Sequence, residues 1–428
     1  SGMAEVVPTR GLLYDPARAG PLDALVAPPY DVVSETERSA FAAKSPYNIV
    51  RIDLPQGDPE RKYGNAAREL RRWVDEGVLR RDAVPALYRY HQVFSTSGQE
   101  HTRKGFIGRV RLRRFDEGVV LPHERTLSGP RLDRLALARA CRTHLSQLFG
   151  LYSDPKGTID GEFAALDSIG PALEARQGDG VVHRLWRLTD AKAHARIAAA
   201  MADRKVYIAD GHHRYETMLA LRDELRPLAR SQRSSIEYGS MFLTRMDDPG
   251  LVILPTHRVV HGLEGFELSP FLDRLRSRFE VEELPASRAE GLREPPRTTP
   301  GSYLLASRGR YFSVSLRPGE DASVPGPAPL RRLDVPILHA FILEEILGID
   351  RSAQERQTNL RYVKDFRGAL EEARRPGVQA AFLLNPTRIE QLKGVADALE
   401  VMPQKSTFFF PKLASGLLLD PIDPLEDA

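Results

Sequence analysis

Residues 205–221 read KVYIADGHHRYETMLAL. Four apolar residues, 206–209, have the composition of a short buried strand. A polar turn follows, Asp210-Gly211-His212-His213-Arg214. Met218, Leu219 and Leu221, continued by Arg222, Glu224 and Leu225, then space out as a helix. A strand that passes through glycine into a helix start aims backbone N–H groups and the positive end of the helix dipole at one spot, which suits an anion. Gly211 lets a ligand approach the backbone, because no side chain stands in the way. Taken singly, Asp210 reads as an N-cap and the histidines as solvated surface groups. Taken together, two imidazoles, a guanidinium and a carboxylate within five residues form a titratable cluster of the kind found at functional sites.

The rest of the chain has to build a scaffold around that turn. At 428 residues it exceeds one typical hydrophobic core, so more than one subdomain is expected. It is 42% apolar and 28% charged, with 61 Lys+Arg against 58 Asp+Glu and a net charge of +3, which is ordinary for a soluble globular protein. That balance gives no reason to expect a nucleic-acid or membrane partner. A small-molecule substrate is expected, and self-association into a homo-oligomer stays open. Cys141 is the single cysteine, which excludes an intrachain disulfide and a cysteine-based zinc site and fits a reducing cytoplasm. No run of 18 apolar residues and no signal-like leader is present, and the leading Ser-Gly-Met reads as a tag-cleavage scar.

Outward from the turn, the N-terminal part carries a proline-stiffened APPYDVV segment at 27–33, which presents Tyr30 and Asp31. Ser34 and Glu37 form a capping box for a helix over 34–43. Residues 48–54 alternate like a strand, and 63–76 form an amphipathic helix with Trp73, closed by Gly77. Strands are predicted at 86–95 and 103–112, joined by a turn around Gly98. In VVLPHERTL, 119–127, Pro122 ends a strand and presents His123, Glu124, Arg125 and Thr126, an acid beside an imidazole and a guanidinium, as proton transfer near phosphate requires. A long helix over 131–147 is expected next. A helix, a strand at 181–188 and a second helix lie between 160 and 200. A buried strand at 240–246 and a second at 251–258 flank a hairpin turn, 247–250, and the second strand delivers His257 and Arg258 after a proline.

Downstream, 270–279 reads as a helix, 302–306 and 311–316 as strands, 318–329 as a Pro/Gly-rich loop, 334–348 as one helix, 378–384 as a strand and 389–399 as a helix. The final chemical stretch, 402–416 (MPQKSTFFFPKLASG), places Gln404, Lys405, Ser406, Thr407 and Lys412 around an aromatic strand; lysines and hydroxyls at a strand start suit phosphate oxygens. The glycine spacing of a Walker loop is absent. These readings divide the chain into a core α/β domain over 4–264, an accessory α+β segment over 265–330 and a C-terminal segment over 331–428.

Together the residues suit a phosphate-rich ligand. Arg214, Arg258, Lys405 and Lys412 are candidates to hold phosphoryl oxygens, with Gly211, His212, Ser406 and Thr407 beside them. Asp210 is a candidate to carry Mg²⁺ or to orient a histidine. Glu124 or His123 is the candidate base, and His213 belongs to the same catalytic set. Tyr30, Asp31, Arg125, His257 and Gln404 are candidates to line the pocket. A zinc hydrolase built on His213 and Glu216 with His212 or His257 competes, but the spacing is not HExxH and Arg214 opposes a cation. A nucleotide-binding module without turnover is the third class.

APPYDVV, PHERTLSGPRLDRL, FGLYSD, ADGHHRYET, LPTHR and MPQKSTFFFPK, in that order, resemble the bacterial and archaeal family called domain of unknown function 1015. More distantly, Asp210-Gly211-His212-His213-Arg214 resembles the Asp-Gly-x-x-Arg turn of free-serine kinases in the ParB/sulfiredoxin superfamily. That resemblance implies that Gly211 and Arg214 contact nucleotide phosphate and that Asp210 sits near the transferred group. It also implies an upstream glutamate as general base, for which Glu124 is the candidate by position and chemistry. The expected fold is α/β or mixed α+β, with a central mixed sheet carrying the turn at a strand end and flanking subdomains. The expected activity is phosphoryl transfer from ATP, ADP or pyrophosphate to a small hydroxyl compound, free L-serine first. A phosphate-ester or nucleotide hydrolase is the alternative.

Overall fold

The computed structural model describes residues 2–126 and 131–428, so the 127–130 part of the PHERTLSGPRLDRL stretch lies outside the described residues. The chain forms two compact units. The first comprises 1–121, 128–251 and 411–428; the second comprises 122–127 and 252–410. The divisions therefore fall near 251 and 410, and a short excursion at 122–127 carries the HERT residues into the second unit.

The first unit is mixed α/β. Its nine-stranded sheet runs, in spatial order, 120–121, 206–210, 148–152, 238–245, 99–111, 87–96, 182–188 and 173–176, with 6–7 added alongside 99–111. Two neighbouring pairs are parallel, Val206–Asp210 with Val120–Leu121 and Tyr238–Arg245 with Leu148–Tyr152, and the other pairs are antiparallel. Val206–Asp210 lies inside this sheet, and its first four residues are buried, as a near-continuous apolar strand should be. The helix that follows, His212–Leu225, inserts Tyr215 and Met218 into the core against Leu148, Val206, Ile208 and Met241. Further along, Leu221 and Leu225 close over Leu135 and Ile236. The turn is thus held between a central strand and a helix buried along much of its length.

The second unit is built on a six-stranded antiparallel sheet ordered 279–284, 310–316, 302–307, 378–384, 257–261 and 360–363. A separate ribbon pairs Val252–Leu254 with Phe408–Phe410. Its largest core gathers Tyr303, Leu305, Phe312, Val314 and Phe382 of the sheet with Phe271, Ile337, Phe341 and Ile342 of the helices on one face.

Several local expectations hold closely. The Ser34/Glu37 capping box starts Glu35–Lys44, Trp73 lies on Lys62–Asp75, and Val378–Leu384 is a buried strand. Four others are corrected. Residues 48–54 form a helical turn, Val50–Asp53, because the Asn48 carboxamide accepts the Val50 N–H at 3.0 Å and donates to Ala24 O at 2.8 Å, a side-chain turn that outcompetes alternation. The helix predicted over 131–147 spans Leu132–Cys141 and stops where Arg142 turns left-handed at φ 48°. Residues 247–250 do not join a hairpin, since Tyr238–Arg245 pairs within the first unit and Val252–Leu254 with Phe408–Phe410. The helix over 334–348 is an α-turn, Asp334–Ile337, that widens into a π-helix, Leu338–Glu344. Buried His339 lies in that widened stretch, bonded to Gln354 and Arg258. Among the described residues no helix is long and apolar enough to cross a membrane.

Candidate functional site

In the first unit, Gly211 sits at φ 94° as the residue that opens the helix, so it, and not Asp210, occupies the N-cap. The left-handed backbone favours glycine, and a Cβ there would also press Leu148 at 3.2 Å and the Arg214 guanidinium at 3.4 Å. Asp210 folds back on the turn, with Oδ1 accepting the Gly211 N–H at 3.0 Å. Its Oδ2 receives the Lys412 ammonium at 3.1 Å and the Arg214 guanidinium at 3.4 Å. Arg214 is 8% exposed and donates a second bond to Gln147 O at 2.6 Å. Burial alone would raise the Asp210 carboxyl, but Lys412 and Arg214, with His212 nearby, hold it well below the ordinary carboxylate range. One carboxylate thus faces two cations at the positive end of a 14-residue helix.

Lys412 is held in place by polar residues that the sequence reading did not select. Gln92 and Arg103 are register partners across the hairpin of Leu87–Thr96 and Gln99–Arg111. Both are fully buried. Gln92 Nε2 donates to Lys412 O at 2.9 Å, while Arg103 donates to Pro411 O at 2.6 Å and to the Gln92 side chain. Two residues along the same strand, Tyr90 OH accepts the Ala414 N–H at 3.3 Å and contacts His183 Nδ1 at 2.6 Å. A row of buried polar side chains on the sheet therefore clamps the 411–414 backbone. Nothing local in the sequence sets Gln92 and Arg103 apart, because the two strands carry many other polar residues.

The APPYD segment joins the same unit. Tyr30 is buried beneath the Arg134 guanidinium, 3.6 Å above its ring, and Arg134 in turn bonds the Asp53 carboxylate at 2.5 Å. Burial raises the Tyr30 hydroxyl, and Arg214 and Arg134 partly offset it. Burial lowers Arg214, but Asp210, Asp31, Tyr30 and Asp53 outweigh it and raise it overall. A small cavity of about 50 Å³ borders Tyr30, Arg134, Arg214 and Thr217, with His144 and Met218 on its wall.

The second unit assembles the HERT and QKST residues. Glu124 bridges to Met402 in parallel, fixed by Met402 N–H to His123 O at 2.7 Å and Arg125 N–H to Met402 O at 2.9 Å. Glu124 Oε1 accepts the Ser406 N–H at 3.1 Å, the Thr407 N–H at 3.0 Å and the Thr407 hydroxyl at 3.0 Å. His123 Nε2 lies 2.7 Å from the same hydroxyl. That hydroxyl has one proton and gives it to Glu124, so His123 donates through Nε2, which assigns its tautomer. The result is a chain from His123 through Thr407 to Glu124. The hydroxyls expected on a phosphate are engaged within the protein, Thr407 by Glu124 and His123 and Ser406 by Pro403 O.

Arg258 and His257, read as delivered after a proline, are buried within a strand instead. Arg258 is fully buried, bonded to Thr256 O, His339 Nε2 at 3.3 Å and Gln404 O at 3.5 Å, with its guanidinium 5.0 Å from the Tyr362 ring. It braces the turn that carries Gln404. His257 Nδ1 accepts the Leu384 N–H at 3.0 Å. Lys405 is exposed with a left-handed backbone, φ 59°. The candidate residues therefore divide: Tyr30, Asp31, Asp210, Gly211, His212, His213, Arg214 and Lys412 belong to the first unit, and His123, Glu124, Arg125, His257, Arg258, Gln404, Lys405, Ser406 and Thr407 to the second.

Asp210 is the carboxylate expected to hold Mg²⁺. Its oxygens are engaged by two cations and an N–H, whereas a hard divalent ion needs several oxygen ligands. Among the described residues no group of three or more His, Cys, Asp or Glu could hold a metal. The donor set does not fit a resident cation.

The left-handed glycine turn joins a strand of a mixed sheet to a helix in a mixed α/β protein. The chain belongs to the family described as "Protein of unknown function (DUF1015)", which matches residues 6–336. No curated protein matches. Solved structures similar to it include a free serine kinase in complex with AMP, at 13% identity and TM-score 0.35, covering 75% of this chain and 92% of that one. A conserved hypothetical protein from Pyrococcus furiosus aligns at 13% identity and TM-score 0.34, covering 71% and 90%. A C-terminally truncated SbnI from Staphylococcus aureus aligns at 10% identity and TM-score 0.31, covering 73% and 87%.

Proposed function

We propose that this protein is a cytoplasmic phosphotransferase that grips the phosphates of ATP, ADP or pyrophosphate at the Gly211 turn. It passes a phosphoryl group to a small hydroxyl compound, free L-serine first among them. The observation that carries this reading is the pairing of one carboxylate, Asp210, with two cations, Arg214 and Lys412, at a helix start opened by a left-handed glycine. An incoming phosphate meets the Arg214 and Lys412 cations there, and the helix dipole favours it further. Phosphoryl transfer asks mainly for positioning and charge neutralisation, which this inventory supplies. Magnesium would arrive as part of the nucleotide substrate.

In the transfer, the acceptor hydroxyl oxygen bonds phosphorus, the bridging oxygen of the donor leaves with the electron pair, and the hydroxyl proton goes to a base. Within the second unit, Glu124 is oriented by the Ser406–Thr407 turn and linked through Thr407 to His123, an arrangement able to accept a proton. The test is product analysis with each donor, with and without L-serine. O-phosphoserine formed only when both are present supports transfer. Phosphate released equally without serine indicates a hydrolase. Ligand-induced thermal stabilisation with no product indicates a binding module.

A further inference from the structure

A lysine carries its charge on a flexible stem, and holding that stem in one geometry costs side-chain entropy. Lys412 nevertheless reaches Asp210 Oδ2 at 3.1 Å, with 18% of its side chain exposed. The stem is ordered from its root. Arg103 donates to Pro411 O at 2.6 Å, and Gln92 Nε2 donates to Lys412 O at 2.9 Å. Those two carbonyls belong to the two peptide planes that meet at the Lys412 Cα. Fixing both planes sets the direction in which the lysine side chain leaves the backbone. All of these residues belong to the first unit.

Gln92 is fully buried and uses both ends of its amide. Its Oε1 accepts from Arg103 Nε at 3.1 Å while its Nε2 serves Lys412 O. An apolar side chain would fill this position on the sheet without the cost of burying polar atoms. A carboxylate would satisfy Arg103 but has no proton to give to Lys412 O, and a lysine could donate but not accept. The amide does both. We propose that Gln92 is a positioning residue for phosphate binding: through the Lys412 carbonyl it aims the Lys412 ammonium at the Gly211 turn, and so sets the affinity for the phosphoryl donor without touching it. This rests on the reading that the turn grips a phosphate.

Calorimetric titration of the full chain with ADP tests it in a double-mutant cycle of Gln92→Met and Lys412→Met. Methionine matches the length of glutamine and adds no charge, so it removes the bond to Lys412 O while filling the space. Gln92→Met should weaken ADP binding about tenfold, as Lys412→Met does. The double variant should bind ADP within about twofold of Lys412→Met alone, because Gln92 has no other route to the ligand. A merely structural role would instead multiply the two losses. Should Gln92→Met fail to fold, Gln92→Asn keeps the amide, withdraws it by one methylene and is read in the same cycle. ADP binding by the wild type that Gln92→Met leaves unchanged, or weakens equally with and without Lys412, overturns this inference alone. No ADP binding by the wild type overturns the phosphate reading and this inference with it.

Discussion

The two polar clusters of this protein use similar residues to opposite effect. At the Gly211 turn one carboxylate, Asp210, meets two cations beside a helix start. At the HERT segment one carboxylate, Glu124, gathers three donors from the Ser406–Thr407 turn. The first carboxylate is held by side-chain charge, the second by backbone N–H groups and a hydroxyl. The difference teaches that a Lys-Ser-Thr stretch is not a phosphate cradle by composition alone, because a nearby acid can claim its N–H groups first.

Acid should give the largest effect, and it should act on both units. His183 in the first unit is pulled down to about 3 by burial and by Arg103, and His257 in the second to about 4 by burial and by Arg258. Both are neutral when folded. Each contributes stability that is present above the unfolded histidine value near 6.5 and is lost as pH falls through the folded value. Urea unfolding followed from pH 7 to 4 should show a loss of several kcal/mol, roughly 1.4 kcal/mol per unit per histidine. His257→Gln should flatten the slope in the second unit, and His183→Gln in the first; unchanged slopes in both would break this part of the comparison.

Next in size is Arg214→Ala. It removes a buried, doubly bonded cation from the phosphate side and should weaken ADP binding about 100-fold, or ~3 kcal/mol, by calorimetric titration. Glu124→Ala should act on the other cluster, lowering unfolding stability by about 2 kcal/mol because two buried backbone donors lose their acceptor. Glu124→Gln keeps an acceptor in place, so it should retain most of that stability. The smallest effect is expected from Lys412→Met, about tenfold on ADP affinity, since Arg214 remains on Asp210.

How far the sequence went follows the same division. The Gly211 turn was legible because its strand, glycine, cations and helix are contiguous, so one local pattern carries both structure and chemistry. The capping box at Ser34 and the strand at 378–384 were legible for the same reason. Lys412 was among the candidates, but its clamp was not, because Gln92 and Arg103 lie more than 300 positions away on two strands with many other polar residues. The His123–Thr407–Glu124 chain likewise depends on a pairing across the whole second unit. Asn48 misled because alternation was visible and its side-chain turn was not. Arg258 misled because proline followed by His-Arg suggests presentation, whereas the strand buries both.

The central claim concerns where a phosphate settles. A crystal structure with ADP bound tests it most directly. The account predicts a phosphate oxygen within about 3 Å of the backbone N–H groups at the start of the helix after Gly211, and a charge-assisted bond to Arg214 or Lys412. ADP phosphates bound elsewhere, with the Asp210–Lys412 and Asp210–Arg214 contacts unchanged, would contradict it.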